Sequence, residues 1–142
     1  MAFILVVEDD MTYSAYLLEI LKAEGHEVAV ASDGLDALKM LRNMQDRTPQ
    51  LFILDHRMPE MSGYELVNVL RSEPSTKNIP ILLITAAPNE VRDLVEQKKA
   101  FCLSKINTTH KEILDCVKRL LSRTDFSSTK PPKNMEIDRG YF

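Results

Sequence analysis

The chain has 142 residues, of which 44% are hydrophobic and 27% are charged, as is typical of one soluble globular domain. A formal net charge of −3 and the lack of a basic face argue against nucleic-acid binding. No segment approaches the roughly 18 apolar residues of a membrane helix, and the amino-terminal apolar run lacks the basic flank of a signal peptide. We therefore expect a cytoplasmic protein without membrane attachment. Cys102 and Cys116 lie in apolar contexts, which favours buried thiols over a disulfide.

The first half of the chain alternates between predicted strands and helices. The apolar run Phe3–Val7 predicts a buried strand. Apolar positions at helical spacing then predict a helix over Met11–Glu24, which Gly25 would end. A second strand is predicted over Glu27–Ala31, and the acidic residues on either side of Gly34 suit the start of a second helix.

The second half continues this alternation with three more strand and helix pairs. The third helix would begin at the capping box Ser62–Glu65 and the fifth at a second capping box, Thr109–Glu112. The fourth helix, predicted over about Asn89–Lys98, has the weakest apolar pattern. The three predicted strands are Leu51–Leu54, Ile81–Ile84 and Phe101–Ser104. Strict alternation of this kind predicts an α/β fold with a five-stranded parallel sheet and helices on both faces.

Polar residues follow four of the predicted strands, at the point where each strand ends. They are Glu8, Asp9 and Asp10 after the first strand, Asp55 after the third, Thr85 after the fourth and Lys105 after the fifth. The carboxyl ends of parallel strands meet at one edge of a sheet, where open α/β sheets place their sites. Clustered carboxylates repel one another unless a cation joins them, so the pattern predicts a divalent metal. Asp10 alone is better explained as the cap of the first helix.

Five motifs, in this order and spacing, resemble the receiver domain of two-component response regulators. They are Val6–Asp10, Gly25–Val28 with Ala31–Leu38, Leu54–Gly63, Thr85–Ala86 and Lys105. The resemblance extends from about Phe3 to Arg123. It implies the flavodoxin-like receiver fold, with strand order 2-1-3-4-5.

The resemblance also implies a role for each strand-end residue. Asp55 would accept a phosphoryl group from a histidine kinase or a phosphotransfer protein. Lys105 would neutralise one phosphoryl oxygen, and Thr85 would donate its hydroxyl to another. The implied ligands of Mg²⁺ are Glu8, Asp9, Asp55 and the backbone carbonyl of Arg57, because this ion prefers oxygen ligands. Such a protein phosphorylates and dephosphorylates itself but turns over no external product, so it is not an enzyme in the usual sense.

Two residues near the end of the predicted sheet depart from the family pattern. Receivers usually carry a cis proline after the lysine, whereas this chain has Ile106. A cis bond before a non-proline residue costs about 2.5–4 kcal/mol, so we predict a trans bond and a different turn, which would displace the Lys105 ammonium from Asp55. Receivers also usually place a switching aromatic three residues before the lysine, where this chain has Cys102. Phe101 should face the opposite side of the sheet, so we expect weak coupling between phosphorylation and the fifth helix.

The function predicted first is that of a stand-alone, single-domain response regulator that signals to an unknown downstream protein. A receiver-like interaction module that acts without phosphorylation is the alternative. An enzyme or flavin protein of the same topology ranks last, because no glycine-rich phosphate loop follows the first strand. The oligomeric state stays open, and a weak homodimer is one option.

The helical pattern stops at about Arg123. We predict a receiver domain over residues 1–123 and a tail over 124–142 that is too short for a second domain. The tail is rich in Ser, Thr, Pro and Lys but carries a few large apolar side chains. One hypothesis is that Ile137, Tyr141 or Phe142 docks on a domain surface or on a neighbouring molecule.

Overall fold

The computed structural model describes residues 1–122. The predicted tail over 124–142, and with it the docking of Ile137, Tyr141 or Phe142, lies outside the described residues. The strands in this range are β1 Phe3–Val7, β2 Glu27–Ala31, β3 Leu51–Leu54, β4 Ile81–Thr85 and β5 Phe101–Ser104. The helices are α1 Met11–Ala23, α2 Gly34–Asn43, α3 Gly63–Ser72, α4 Arg92–Glu96 and α5 His110–Leu121, with a 3-10 helix at Pro88–Val91.

The strands within residues 1–122 form one parallel sheet in the order β2-β1-β3-β4-β5. Every residue of β1, β3, β4 and β5 is buried, because helices cover both faces of the sheet. The predicted fold class and strand order are therefore confirmed. None of the helices in the described range is long and apolar enough to cross a membrane.

Alternation along the strands divides the core into two layers. Ile4 and Val6 of β1 pack towards α1 and α5, whereas Leu5 and Val7 pack towards α2, α3 and α4. Since nearly all of these side chains are fully buried, the sheet is a rigid platform. Its carboxyl edge carries the strand-end residues.

Side-chain caps fix where the helices begin. Asp10 accepts hydrogen bonds from the backbone N–H groups of Thr12 and Tyr13, which confirms it as the cap of α1. The capping boxes at Ser62 and Thr109 are both present, as the sequence predicts.

The prediction of one helix over Asn89–Lys98 was wrong. The chain forms the 3-10 helix Pro88–Val91 and then only five residues of α-helix, Arg92–Glu96. Neither piece has a side-chain cap at its start. Lys98, with φ 60°, already has a left-handed backbone, which ends the helix a few residues before β5. The segment is too short and has too few buried apolar residues to hold a longer helix.

Gly63 allows α3 to begin directly against the loop that follows β3. A Cβ atom at this position would lie 2.2 Å from the backbone oxygen of Asp55 and 2.8 Å from the Cα of His56. The Gly63 N–H donates a hydrogen bond of 2.6 Å to the His56 carbonyl. The close approach of two backbones therefore requires glycine here and fixes the position of the Asp55 backbone.

Replacing Gly63 with alanine should destabilise the protein by about 3 kcal/mol or more, because backbone atoms cannot yield to the new Cβ. The matched control is Gly25→Ala. Gly25 has φ 89° with no atom within 4 Å of a new Cβ, so only backbone strain of about 1–2 kcal/mol is expected. Urea unfolding of both variants measures the difference. Equal losses, or a Gly63→Ala protein as stable as the wild type, would contradict this account.

Candidate functional site

The strand register brings the predicted site residues to one edge of the sheet. Val7 of β1 pairs with Leu54 of β3, so Glu8 and Asp55 both leave the sheet at the same level. The Asp55 N–H donates to the Val7 carbonyl at 3.0 Å. On the other side, the Lys105 N–H donates to the Thr85 carbonyl at 2.9 Å, which continues the β4–β5 pairing.

The Lys105 ammonium lies between two carboxylates. Its Nζ is 2.8 Å from Glu8 Oε1 and 3.2 Å from Asp55 Oδ2. The expected displacement of this ammonium from Asp55 was therefore wrong. Burial alone would lower the pKa of Lys105, but the hydrogen bond to Glu8 and the charges of both carboxylates outweigh it, so the pKa is raised.

Glu8 is the most deeply buried acid of the site, with 3% of its surface exposed. Its pKa is raised to about 7, chiefly by burial and also by the charge of Asp55, against the lowering effect of Lys105 and of the Asp10 N–H. The Asp10 N–H donates to Glu8 Oε2 at 3.1 Å. The buried Glu8 carboxylate therefore needs a positive charge nearby to remain ionised.

The carboxylates of Glu8, Asp9 and Asp55 come together at this edge. One oxygen from each lies within 4.8 Å of the others. Asp9 is exposed, whereas Glu8 and Asp55 are buried. A set of oxygen donors that is open to solvent on one side fits Mg²⁺, which keeps several of its waters when it binds. The Asp10 carboxylate instead caps α1 and is not part of the cluster.

The side chains of Thr85 and Arg57 make contacts of their own. Thr85 is buried, and its Oγ accepts a hydrogen bond of 3.1 Å from the Ala87 N–H, which leaves the hydroxyl proton available for donation. Arg57 follows two residues after Asp55, and its guanidinium turns outwards to Glu90, at 2.6 and 3.0 Å.

The turn after Lys105 is built on Ser104, a residue that the sequence reasoning missed. No peptide bond among the described residues is cis, so the predicted trans bond before Ile106 is confirmed. Ser104 is buried, and its Oγ accepts hydrogen bonds from the N–H groups of Ile106 at 3.3 Å and Asn107 at 3.4 Å. A serine just before a turn is a known signal for such bonds, and it could have been read from the sequence.

A polar network that was also missed joins the loop after β3 to the 3-10 helix and α4. His56 Nε2 lies 3.2 Å from Glu90 Oε1, beside the Arg57–Glu90 pair. The Tyr64 hydroxyl hydrogen-bonds to Asp93. His56 lies in the loop after β3, yet only 13% of its side chain is exposed, and its Nδ1 accepts a hydrogen bond of 3.2 Å from the Tyr64 N–H.

Phe101 and Cys102 of β5 take the positions that strand alternation predicts. Phe101 packs in the layer of α1 and α5, and Cys102 in the layer of α2, α3 and α4. Burial raises the pKa of the Cys102 thiol to about 12, so it is an inert, small apolar group. Cys102 and Cys116 are both buried thiols, as expected.

Comparison with known proteins agrees with this arrangement. The family model described as "Response regulator receiver domain" matches residues 4–118. The chain is 37% identical to the phosphate regulon transcriptional regulatory protein PhoB of Rhizobium meliloti, over 96% of this chain and 60% of that protein. It is 40% identical to hybrid signal transduction histidine kinase D of Dictyostelium discoideum, over 61% of this chain and 5% of that protein.

Solved structures give the same result. The receiver domain of a signal transduction histidine kinase from Syntrophus aciditrophicus superposes with a TM-score of 0.75 at 30% identity, over 94% of this chain and 98% of that one. The response regulator TrrA of Thermotoga maritima, solved in complex with Mg²⁺-BeF, gives 0.71 at 32% identity, over 84% and 99%.

The protein defined by this fold and site belongs to the receiver domain family of two-component response regulators. The resemblance inferred from the five motifs is thereby confirmed. The chain spans 60% of the length of PhoB and 5% of the length of the histidine kinase.

Proposed function

We propose that Asp55 accepts a phosphoryl group in a two-component phosphorelay and that the chain passes this state on through protein contacts. The donor is the phosphohistidine of a histidine kinase or phosphotransfer protein. The observation that carries the proposal is the environment of the Asp55 carboxylate. One oxygen accepts the His56 N–H at 2.7 Å and the other faces the Lys105 ammonium at 3.2 Å. The carboxylates of Glu8 and Asp9 lie beside it.

The transfer exchanges one bond at phosphorus for another. A carboxylate oxygen of Asp55 bonds to phosphorus as the P–N bond to the donor imidazole breaks, and the electron pair of that bond returns to nitrogen. Lys105 then pairs with a phosphoryl oxygen as a point charge. Thr85 Oγ accepts the Ala87 N–H through a lone pair, so the hydroxyl proton can be donated to another phosphoryl oxygen.

The metal ligands proposed are Glu8, Asp9, Asp55 and the backbone carbonyl of Arg57. Bound Mg²⁺ would offset the repulsion between the carboxylates and the incoming phosphoryl oxygens. Bound Mg²⁺ and the Lys105 ammonium would together balance the negative charge of an acyl phosphate.

The same residues argue against the alternative, an interaction module that acts without phosphorylation. Such a module does not need a buried Glu8 that is paired with Lys105 and whose pKa is raised to about 7, chiefly by burial. The chain turns over no external product in the proposed reaction, since the phosphoryl group ends on Asp55 until it is hydrolysed or passed on. The proposed partners are proteins, with neither nucleic acid nor membrane among them.

With Mg²⁺ and acetyl phosphate or phosphoramidate, the intact mass should rise by one phosphoryl group. Asp55→Asn should abolish this rise, because an amide oxygen is not a nucleophile at phosphorus. The matched control is Asp10→Asn, which removes a nearby charge, keeps a capping side chain for α1 and should be labelled like the wild type. Labelling that persists in Asp55→Asn would show that Asp55 is not the phosphoacceptor.

Mg²⁺ binding should depend on Asp9 and not on Asp10. Asp9 points its carboxylate to the cluster, whereas Asp10 holds the start of α1. Calorimetric titration should show that Asp9→Ala loses Mg²⁺ binding and that Asp10→Ala keeps most of it. Asp10→Ala should lose about 1 kcal/mol of folding stability instead. An equal loss of metal binding in the two variants would show that the proposed ligand set is wrong.

A further inference from the structure

We infer that Tyr13 is a positioning residue, whose ring holds the Lys105 ammonium in place for the reaction at Asp55. The inference rests on the proposed function, because Lys105 is the group that meets the phosphoryl oxygen there. Tyr13 belongs to the first turn of α1 and to none of the five motifs that carry the resemblance.

The contact is a cation–π interaction at the edge of the site. The Lys105 Nζ lies 4.4 Å from the centre of the Tyr13 ring, within the roughly 6 Å over which an ammonium is attracted to an aromatic face. The same nitrogen faces Glu8 and Asp55. Two carboxylates and one aromatic ring therefore face the ammonium. Only 17% of the Lys105 side chain is exposed.

The turn that follows Lys105 does not itself fix the lysine side chain. Ser104 holds the backbone of the turn, and the next side chain, Ile106, is 76% exposed, so it does not wall in the lysine stem. A lysine stem has about 2 kcal/mol of rotamer entropy to lose. The Tyr13 ring restrains this stem from the side of α1.

Tyr13 is in turn held by its neighbours. Its N–H donates to the Asp10 cap at 3.2 Å, and its ring packs at 5.5 Å against that of Tyr16. Beneath it, the space bounded by Tyr13, Glu8 and Asp55 has no room for a water molecule. The ring is therefore packed closely against the floor of the site.

The ring suits the reaction because it attracts the ammonium without binding it through a hydrogen bond. When a phosphoryl group joins Asp55, the Lys105 head must move from a carboxylate oxygen to a phosphoryl oxygen. A third carboxylate in the place of the ring would hold the ammonium back, and an aliphatic side chain would not attract it. The face of Tyr13 allows a small displacement and keeps the ammonium within reach.

The test compares Tyr13→Phe, which keeps the ring, with Tyr13→Leu, which removes it. In the wild type without metal, the ε-methylene protons of Lys105 should show an upfield ring-current shift by NMR. The shift should persist in Tyr13→Phe and disappear in Tyr13→Leu. The rate of phosphorylation by acetyl phosphate with Mg²⁺ should fall about three- to thirtyfold in Tyr13→Leu, as expected for the loss of a partly buried cation–π contact, and should recover in Tyr13→Phe.

The control is Tyr16→Leu, which removes the neighbouring ring but leaves the Tyr13 face against Lys105, so it should reduce the Lys105 shift and the rate much less than Tyr13→Leu does. A rate loss in Tyr16→Leu equal to that in Tyr13→Leu would reduce Tyr13 to ordinary packing and overturn the inference. The inference would also be overturned if Tyr13→Phe behaved like Tyr13→Leu. It would be overturned as well if the wild type lacked the ring-current shift, and that measurement does not depend on the folding of any variant. If the wild type is not phosphorylated at all, the proposed function fails, and the NMR comparison still decides whether the ring holds the ammonium.

Discussion

Two carboxylates, those of Glu8 and Asp55, share one ammonium at the carboxyl edge of the sheet, and the rest of the site is arranged around this balance. Acids buried so close together would repel each other strongly without a cation. Lys105 supplies that charge at 2.8 and 3.2 Å. The strand register brings the three residues to one level, and Gly63 lets α3 approach the Asp55 backbone closely. The phosphoryl transfer proposed for Asp55 would change this balance, because the Lys105 ammonium would then also face a phosphoryl oxygen.

A structural change at the site can spread to the rest of the domain through β5 or through the loop after β3. The contacts favour the loop. Along β5, the position three residues before Lys105 holds the small, buried Cys102, which packs in the layer of α2, α3 and α4 and has no ring to rotate. Towards α4, the loop after β3 is joined to the 3-10 helix by Arg57 and His56, both of which contact Glu90. Because these contacts begin one and two residues after Asp55, we expect a movement of this loop to reach the start of the α4 region first.

The sequence predicts the sheet and the strand-end residues well, because both depend on local patterns. An apolar run that ends in a carboxylate, such as the one before Asp55, predicts both the strand and the residue at which it ends. The single helix over Asn89–Lys98 could not be corrected from periodicity, because the return of the chain to β5 ends it early. The Tyr13–Lys105 and His56–Glu90 contacts join residues distant in sequence, and no local pattern reports them. Ser104 is different, since its bonds are local and its position before a turn was a readable signal.

The most direct test is an NMR titration of the protein with beryllofluoride in the presence of Mg²⁺, since this anion takes the place of a phosphoryl group on a carboxylate. The account predicts that backbone shifts change most around Asp55, Thr85 and Glu90 and fade along α5 towards Lys118. An Asp55→Asn protein should show none of these changes. Large shifts throughout α5, or a wild type whose spectrum does not change near Asp55, would contradict the account.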